Sequence, residues 1–548
     1  MLEKEIRAYA LKNSIEHGSA VAAKVLPKLF NHGLKKEGIK KIMPEINKAI
    51  KEINSLPEEE RERQFRELKH LIPEKREEKH ELSELKNTEN LVMRFEPSPS
   101  GPLHIGHAYV LSLNNEYVKK YNGKLILRIG DTNPENIYAP AYEMIPEDAN
   151  WLTGNNVYKT IVQSDRMKIY YEFLEKLLEL DKIYICTCDS EEHKKLISKS
   201  KACACRDIPK EKQKERWKKM FSEYKQGEAV TRLKTNLSDK NPAMRDFPLA
   251  RINETEHPRQ EKKFRVWPLM NLAVACDDIE MKITHVIRAK DHADNAKRQE
   301  IIYSYLNHKP PQALFVGRIN FEDMPLSTTE TKQTIKEKKY SGWDDIRLPF
   351  IPALKRRGYQ PEALTKYSME IGVTLTDKTV PKDEFFKAIN HFNKEIIDKK
   401  ANRYFFVQKP KKIKIKHAHP EIEVKIPLHP DDARGFRKFR AKDEFYIEDK
   451  LGKDKPYRLM HLFNFKNKEF ISREIEPELN AKLIHWLPVS KELVKTKVLM
   501  ENGKYVEGLA EPDAKNIKEG EIIQFERFGF VKLDKKAKSG LEFWWLHK

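Results

Sequence analysis

Two histidines, His104 and His107, end the segment Glu96–His107, which reads EPSPSGPLHIGH. The segment follows a short apolar run at 91–95 and precedes a stretch that is typical of a helix. Imidazoles at such a position can donate hydrogen bonds to an oxyanion that develops at phosphorus, and the free N–H groups of a helix start attract phosphate. The pattern therefore suits attack of a nucleophile on an α-phosphate. The alternative is an ordinary helix start with two surface histidines.

The rest of the segment has the composition of a stiff loop that lies close to a ligand. Three prolines, Pro97, Pro99 and Pro102, restrict its backbone. Two glycines, Gly101 and Gly106, permit the close approach that an adenine ring or a sugar requires. The loop matches neither GxxxxGK[ST] nor GxGxxG, so it is not one of the common glycine-rich phosphate loops.

The flanking elements predict where this loop lies in a fold. The helical stretch after His107 ends at Asn122-Gly123, a left-handed cap, and the apolar run Lys124–Ile129 reads as a second strand. Strand, helix and strand in this order predict a parallel sheet with a right-handed crossover. Ligands of such sheets bind beyond the carboxyl ends of the strands, which is where the loop begins.

The composition restricts the partners and the compartment. A formal charge of +20 over 548 residues favours a polyanionic partner, either nucleic acid or an acidic membrane surface, over a merely lysine-rich solvated surface. No run of about 18 apolar residues is present, so no membrane span is expected. Five cysteines and a charged N-terminus without a signal-peptide core predict a cytoplasmic protein without a disulfide framework.

Changes in pattern along the chain predict a multidomain α/β protein. We expect, in order, an N-terminal charged helical region (1–88), the first half of a parallel-sheet nucleotide-binding domain (89–185), an insertion (186–264), the second half of that domain (265–330), a helical region (331–412) and one or two C-terminal β-barrels (413–548).

Four of the five cysteines form two CxC pairs, Cys186/Cys188 and Cys203/Cys205, fourteen residues apart. Four thiolates suit a closed tetrahedral Zn²⁺ site, which would tether an insertion too small for a large core. The CxC spacing is tighter than that of most zinc motifs, and four reduced thiols are the alternative.

The motif HIGH, preceded by RFEPSPSGPL, is similar to the signature of class I aminoacyl-tRNA synthetases, and its surroundings resemble the glutamyl/glutaminyl branch, above all its archaeal-type glutamyl members. The likeness extends over nearly the whole chain. The other matching segments are LRIGDTNP (Leu127–Pro134), QSDR (Gln163–Arg166), NPAMRDFP (Asn241–Pro248), FRVWPL (Phe264–Leu269), THVIRAKDH (Thr284–His292), YSGWDD (Tyr340–Asp345), ANRYFFV (Ala401–Val407), IPLHP (Ile426–Pro430), KLIHW (Lys482–Trp486), EGLAEP (Glu507–Pro512) and QFERFGFV (Gln524–Val531).

The resemblance implies a Rossmann-like class I catalytic domain whose insertion holds the tRNA acceptor end, a stem-contact region and two anticodon-reading β-barrels. It implies formation of an adenylate from glutamate and ATP with Mg²⁺, and transfer of glutamate to tRNA. The expected partners are glutamate and the tRNA of glutamate, with the tRNA of glutamine as an extension, and the expected state is a monomer. Some relatives carry zinc in the insertion.

The resemblance also implies roles for individual residues. The catalytic residues would be His104 and His107. ATP would be bound by Pro97, Ser98, Gly101, His104, Gly106, His107, Ser327 and Lys332, and the amino acid by Arg94, Ser98 and Arg288. Arginine at position 94 suits bidentate binding of the substrate's side-chain carboxylate.

Several residues at the predicted site depart from the family pattern. Gly130 replaces an acidic residue that contacts the substrate's α-ammonium group, Met270 replaces a pocket tyrosine, and Val274 replaces a small polar residue. Glu330 stands where a lysine is expected beside the triphosphate, and Lys332 follows two residues later. Two readings result: a divergent working ligase, or an impaired paralogue that binds tRNA or acts in regulation. A third, a base-modifying relative, conflicts with the long C-terminus.

Overall fold

The computed structural model describes residues 2–17, 19–35, 38–72, 82–418, 422–430 and 434–548. The chain divides into two compact units, residues 1–80 and 81–548. No helix in the described part of the chain has both the length and the apolar content needed to cross a membrane.

The first unit is helical. Its helices are α1 (Glu3–His17), α2 (Ala22–Leu29), α3 (Ile39–Ser55) and α4 (Glu58–Leu68). Apolar side chains from the first three helices, among them Ile6, Leu11, Val25, Ile46 and Ile53, form its core. The charged segment 73–81, which the sequence assigned to this region, lies outside the described residues.

The second unit begins with the strand–helix–strand pattern predicted around the histidine loop. Its first elements are β1 (Val92–Phe95), α5 (Ile105–Lys120), β2 (Lys124–Ile129), α6 (Ala141–Thr153), β3 (Val157–Val162) and α7 (Met167–Glu179). Gly123 joins α5 to β2 at a point where a Cβ atom would lie only 2.6 Å from the Leu91 carbonyl oxygen. Only glycine permits this close approach of two backbones.

A four-stranded antiparallel sheet, β4-β5-β6-β7, follows. The elements of this part are β4 (Ile183–Cys186), α8 (Ser190–Ser198), α9 (Lys210–Met220), β5 (Val230–Leu233), β6 (Pro248–Ile252) and β7 (Val266–Pro268). Trp217 of the basic helix α9 packs with Leu174 and Leu178 of α7 in one hydrophobic cluster. One face of α9 therefore packs into the hydrophobic core, and the lysines of the helix lie on the opposite face.

The chain then returns to the parallel sheet through α10 (Met270–Glu280), β8 (His285–Ala289), α11 (Ala293–Tyr305) and β9 (Gln312–Val316). The strand order is β3-β2-β1-β8-β9, with every pair parallel. The order runs outward from β1 to β3 and resumes on the other side of β1. The switch between β1 and β8 opens a crevice at the carboxyl ends of these strands, the place where α/β sheets bind ligands.

A mainly helical region connects the sheet to the C-terminal part. It contains β10 (Ile319–Glu322), α12 (Thr328–Lys336), α13 (Ile351–Arg357), α14 (Pro361–Ile371), β11 (Lys378–Pro381) and α15 (Lys382–Ile397). Strands β10 and β11 form a parallel pair. Leu354 and Leu364 of this region belong to the same core as β1 and α5, so the region is continuous with the parallel-sheet domain.

The C-terminal part is made of strands. They are β12 (Arg403–Tyr404), β13 (Phe406–Gln408), β14 (Lys411–Lys414), β15 (Ile422–Pro427), β16 (Phe436–Ala441), β17 (Glu444–Ile447), β18 (Pro456–Leu459), β19 (Phe463–Lys466), β20 (Glu469–Ser472), β21 (Lys482–Ile484), β22 (Leu487–Pro488), β23 (Val494–Leu499), β24 (Tyr505–Ala510), β25 (Ile522–Phe525), β26 (Gly529–Ala537) and β27 (Gly540–His547).

One seven-stranded sheet of this part has the order β12-β25-β26-β27-β23-β24-β13. Its two outer strands are neighbours in sequence, separated only by Phe405, so the sheet curls round until it nearly closes as a barrel. Strands β14–β22 form smaller sheets around a second core. The predicted class, a parallel-sheet α/β domain with an insertion, a helical region and a β-rich C-terminus, is confirmed.

The two β-rich bodies meet at a buried ion pair. Arg437 of β16 lies 2.8 Å from the carboxylate of Glu511, which also accepts a hydrogen bond from the Phe405 backbone, and both charged side chains are fully buried. Burial raises the pKa of Glu511 to about 7, although the positive charge of Arg437 acts to lower it. Removing either partner would leave a buried charge or a buried acid without its main partner.

We expect Arg437→Met to destabilise the β-rich region by about 3 to 5 kcal/mol, because Glu511 then loses its compensating charge in the interior. Calorimetry would register this as a lower midpoint of unfolding. Lys438→Met, at the exposed next position of the same strand, is the matched control and should change the midpoint little. Equal unfolding midpoints for the two variants would contradict the assignment of a stabilising role to the ion pair between Arg437 and Glu511.

Candidate active site

The loop between β1 and α5 is fixed at several points by its own backbone. The Pro97 carbonyl accepts a hydrogen bond from the Gly130 N–H at 3.0 Å, and the Pro99 carbonyl accepts one from the Tyr138 N–H at 2.8 Å. Gly101 lies against Thr328 and Trp343, and a Cβ atom there would come within 3.0 Å of the Thr328 methyl group. The loop is therefore held between the end of β2 and the start of α12.

The entry to α5 is anchored from a second direction. The Leu103 N–H donates to the Asp148 carboxylate at 3.0 Å. The Leu103 carbonyl accepts from the Ile351 N–H, and the Ile105 N–H donates to the Pro349 carbonyl. These bonds fix the position of His104, which forms an isolated bridge with Phe350.

The two histidines cap α5 reciprocally. Nδ1 of His104 accepts from the N–H groups of Gly106 at 3.1 Å and His107 at 3.4 Å, while Nδ1 of His107 accepts from the His104 N–H at 3.3 Å. The imidazole rings stack with centroids 3.8 Å apart. Because each Nδ1 is an acceptor, each neutral ring carries its proton on Nε2. A Cβ atom at Gly106 would lie 3.0 Å from the His104 ring, so a larger residue there would push the ring out of the cap.

Both imidazoles are neutral near pH 7. Burial, and then the neighbouring His107, hold the pKa of His104 well below its ordinary value. Burial lowers the pKa of His107 to about 4. Two neutral Nε2–H groups are thus available as hydrogen-bond donors at the start of the helix, without the charge repulsion that two stacked imidazolium ions would suffer.

The prediction that free backbone N–H groups at this helix start meet phosphate is wrong for this conformation. The N–H groups of Ile105, Gly106 and His107 are all occupied, by Pro349 and by the His104 ring, and that of Ala108 donates to the His104 carbonyl. The donors that remain are the imidazole Nε2–H groups, which form no hydrogen bond with any described residue, whereas the Nδ1 atoms are engaged in the cap. The sequence showed both histidines but not that they complete the helix before they meet a ligand.

A cavity of about 560 Å³ opens at the carboxyl ends of β1, β2 and β8. It brings together all three residues predicted to bind the amino acid, Arg94, Ser98 and Arg288. The three divergent positions Gly130, Met270 and Val274 line the same cavity, so the departures from the family pattern lie where that pattern placed the substrate. Other lining residues include Glu96, Thr132, Asn133, Gln163, His292, Asn295 and Gln299.

Beneath the cavity lies a buried network of arginines and carboxylates. Arg128 of β2 is fully buried and lies 2.8 Å from Asp278 and 2.6 Å from Glu96. Arg94 of β1 lies 2.8 Å from Asp278 and 3.2 Å from Glu96. Burial raises the pKa of Asp278, but Arg94 and Arg128 outweigh burial and hold the pKa below its usual value. Asp278 is therefore ionised and fixes both arginines.

Arg288 of β8 has the weakest internal partner of this group. Its guanidinium is 3.9 Å from Asp278, and its buried Nε has no hydrogen-bond acceptor among the described residues. Burial, and then the like charge of Arg94, lower the pKa of Arg288 to about 10, so the side chain stays charged at neutral pH. A buried arginine with unused donors at a cavity wall is suited to bind a carboxylate.

The segment aligned with the family's lysine loop forms the start of α12. The Ser327 hydroxyl accepts from the Glu330 N–H as the helix cap, and the Thr328 hydroxyl donates to Ser100 of the histidine loop. The Glu330 side chain is exposed. Lys332 instead lies over the ring of Tyr138, with Nζ 5.4 Å from its centroid. The two side chains are about half a helical turn apart, so Lys332 lies toward the histidine loop and Glu330 toward solvent.

The four clustered cysteines lie together beside β4. All four Sγ atoms are within 4.8 Å of one another, with Cys186–Cys203 at 3.8 Å and Cys188–Cys205 at 3.7 Å. Four ligands about 2.3 Å from a tetrahedral zinc ion lie about 3.8 Å apart. The residues present therefore fit Zn²⁺. The fifth cysteine, Cys276, is buried in the core of α10.

Comparison with known proteins places this geometry in a family. Residues 90–399 match the catalytic domain of the class I (E and Q) tRNA synthetases, and residues 401–484 and 483–534 match anticodon-binding domains of the same class. The chain belongs to this family. It is 40% identical over 565 residues to a glutamate–tRNA ligase of Methanocaldococcus jannaschii, with 100% of both chains covered. It is 40% identical over 562 residues to that of Methanothermobacter thermautotrophicus, with 100% of both covered, and 42% identical over 572 residues to that of Pyrococcus furiosus, with 97% of both covered.

The sequence analysis assigned no role to several residues in and beneath this cavity, although some of them lie in segments that it quoted. Glu96 and Gln163 line the cavity, and Asp277 and Asp278 organise the arginines beneath it. The signals were present as a charged residue directly after a strand and as an acidic pair in an otherwise apolar helix. An acidic pair inside an apolar helix indicates that buried cations lie opposite.

Both histidines of the synthetase signature should be neutral Nε2–H tautomers at pH 7. Nitrogen NMR of protein labelled in histidine would show this, with His107 titrating near pH 4. Because this value lies below that of free imidazole, about 6.5, the folded protein binds fewer protons than the unfolded chain between the two values. The stabilisation from His107 is therefore complete above about pH 6.5 and is lost as the pH falls toward 4. His107→Asn assigns the resonance, and a protonated ring at pH 6 would contradict the cap.

Proposed function

We propose that this protein activates glutamate with ATP and transfers it to tRNA, as a glutamate–tRNA ligase. The proposal rests on full-length identity of 40% to glutamate–tRNA ligases. It is supported by a cavity lined by Arg94 and Arg288 at the carboxyl end of β1, the strand from which the histidine loop leads to the cap of α5. The alternative of an impaired paralogue has no support from these relatives. The structure also offers other residues that can do the work of those whose replacement had suggested an impaired paralogue.

In the adenylation step, the α-carboxylate of glutamate attacks the α-phosphorus of MgATP and pyrophosphate leaves. The Nε2–H groups of His104 and His107 donate to the phosphate oxygens on which negative charge accumulates. Neutral donors that are fixed before the substrate arrives need no reorganisation as that charge develops. Pro97, Ser98, Gly101, Gly106 and Ser327 complete the proposed ATP-binding set around the same loop.

The amino acid occupies the cavity. Arg288 has unused donors for one substrate carboxylate, and Arg94 and Ser98 lie on the adjoining wall. The Arg94 fork already contacts Asp278 and Glu96. We therefore assign direct carboxylate binding mainly to Arg288, with Arg94 as the fixed positive charge behind it.

Lys332 takes the place of the missing signature lysine. Its contact with Tyr138 sets it beside the histidine loop, because the Tyr138 N–H is bonded to Pro99 of that loop. The side chain of Glu330, exposed on the same turn, forms no ion pair with any described residue. A lysine at this place stabilises negative charge on the leaving pyrophosphate, and a glutamate that faces solvent opposes it little.

tRNA is the polyanion that the charge of +20 predicts. We propose that residues 186–264 hold the acceptor end, that 331–412 contact the stem, and that 413–548 read the anticodon. The substrates are tRNA of glutamate and, as an extension, tRNA of glutamine. We further propose that the protein acts as a monomer in the cytoplasm, where tRNA and reduced cysteines occur.

The four cysteines hold a structural Zn²⁺. Their sulfur spacing fits a tetrahedral thiolate site, and their position between β4 and α9 lets one ion tie the start of the insertion together. With four cysteine ligands, a bound zinc ion would contribute to folding and would take no part in the reaction.

The function is tested by incubating the protein with MgATP, labelled glutamate and homologous total tRNA, and measuring acid-precipitable glutamyl-tRNA. We expect charging that requires all three substrates. Aspartate and glutamine serve as competing amino acids. Tight tRNA binding without any charging would overturn the proposal and restore the paralogue reading.

The assignment of Lys332 predicts a kinetic effect. Lys332→Met should lower kcat of charging by about 10- to 1,000-fold, because a charge that stabilises the transition state is lost, while KM for tRNA changes little. Lys336→Met, exposed one turn later on α12, is the matched control and should retain wild-type kcat. Equal rates for both variants would show that Lys332 does not act at the triphosphate.

The zinc assignment predicts one equivalent of zinc per chain by elemental analysis. Cys188→Ser should lower the zinc content and the thermal stability of the insertion, because a thiolate ligand is replaced by a neutral hydroxyl. Cys276→Ser, at the buried cysteine outside the cluster, should leave the zinc content unchanged. If the wild-type protein contains no zinc and Cys188→Ser does not change its thermal stability, the four cysteines are reduced thiols and the zinc assignment is wrong.

A further inference from the structure

We propose that Glu96 binds the α-ammonium group of the substrate glutamate. The inference rests on the proposed function, since the ammonium group is that of the amino acid. A zwitterionic substrate with two carboxylates needs one anion in its pocket as well as cations, because an ammonium ion taken out of water without a partner is costly.

Among the described residues that line the cavity, Glu96 is the only carboxylate. It follows β1 directly, at the same strand end as Arg94, and its side chain is 12% exposed. Its position at the wall is therefore both open to a ligand and shielded from bulk water, where an ion pair is stronger than at a free surface.

The two carboxylate oxygens of Glu96 have different surroundings. Oε2 lies 2.6 Å from Arg128 and 3.2 Å from Arg94. Oε1 accepts no hydrogen bond from any described residue and faces Gly130, where a Cβ atom would lie 3.7 Å from it. One oxygen thus fixes the side chain, and the other is left to accept hydrogen bonds from a ligand.

The absence of a side chain at Gly130 creates the space in front of Oε1. A Cβ atom there would make ordinary contacts of 3.5 Å with Gln163 Oε1 and 3.7 Å with Glu96. The Gln163 amide donates through Nε2 to Asp277, so its oxygen faces the same space. An ammonium group placed there finds two acceptors, one of them charged.

The other carboxylates nearby are already engaged. Asp131 is buried and accepts from Tyr142 at 2.7 Å and from the Ser164 N–H at 2.7 Å. Asp277 and Asp278 are held by Arg166, Tyr170, Arg94, Arg128 and Tyr303. None of these three acids lines the cavity, which leaves Glu96 as the anion that a substrate can reach.

The test compares glutamate with glutarate, the same diacid without the ammonium group. Glu96→Gln should raise KM for glutamate in charging by about 10- to 100-fold, the loss of one charged hydrogen bond. The inhibition constant of glutarate should stay within about threefold of the wild-type value, because glutarate makes no ammonium contact. KM for ATP serves as an internal reference. Glu135→Gln, which removes an exposed carboxylate near the cavity, is the matched control.

A double variant distinguishes two roles of Glu96: binding of the ammonium group and positioning of Arg94 and Arg128. Glu96→Ala with Gly130→Glu returns a carboxylate to the same space from the neighbouring strand, and should restore the preference for glutamate over glutarate to within about tenfold of wild type. This variant also carries the test if Glu96→Gln does not fold: recovery of the preference supports the proposal, and its absence overturns it.

The outcomes are distinct. If Glu96→Gln weakens glutamate and glutarate by the same factor, Glu96 only positions Arg94 and Arg128, and the proposal is wrong. An unchanged KM for glutamate has the same consequence. If the wild-type protein does not charge tRNA with glutamate at all, it is the proposed function that fails.

Discussion

The buried ion network around Arg128 is the interaction on which the rest of the site depends. It joins Arg128 on β2, Arg94 and Glu96 at the end of β1, and Asp278 on α10. Fully buried charges are tolerated only when each has a close partner, and removing one partner costs several kcal/mol. The network therefore locks two strands and one helix in a single geometry, and Tyr303 of α11 adds a hydrogen bond to it.

This rigidity explains how a polar cavity persists at the edge of the sheet. Four arginines (94, 128, 166 and 288) face three carboxylates (96, 277 and 278) within and beneath the cavity. Among the described residues of this network the arginines exceed the carboxylates by one, while Arg251, which also lines the cavity, pairs with the exposed Glu135. The cations are held by the protein before the substrate arrives, so binding requires little further ordering of side chains.

The sequence predicted the elements of the fold well and their contacts less well. Local patterns sufficed for the unit β1–α5–β2, because apolar runs and the cap at Asn122-Gly123 are local signals. The β-rich part begins at Arg403, earlier than the predicted position 413, because β12 and β13 are too short to show alternation and are defined by pairing with strands some hundred residues later. The CxC pairs predicted a candidate zinc site, with four reduced thiols as the alternative, and the structure brings the four sulfur atoms within 4.8 Å of one another.

The contacts of the site could not be predicted because they join residues far apart in sequence. Arg94 meets Asp278 across 184 positions, and no local pattern records such a pair. The reciprocal cap of His104 and His107 is local, yet its consequence depends on the orientation of the two rings. With the observed orientation the backbone N–H groups are already hydrogen-bonded, and only the imidazole Nε2–H groups remain as donors. Likewise, the direction of Lys332 follows from α12 beginning at Thr328, where the sequence showed only a lysine two residues out of place.

The parallel sheet gives a physical reason why one family site can be built from different residues. In β1 and β2, Phe95 pairs with Leu127, so the residues that follow these strands, Glu96 and Gly130, both leave the sheet at the same edge and approach one point in the cavity. A carboxylate carried by either strand end can reach that point. Loss of an acid from β2 therefore need not leave the substrate's ammonium group without a partner, provided that β1 supplies one and the position on β2 is small enough to make room, and Glu96 with Gly130 satisfies both conditions.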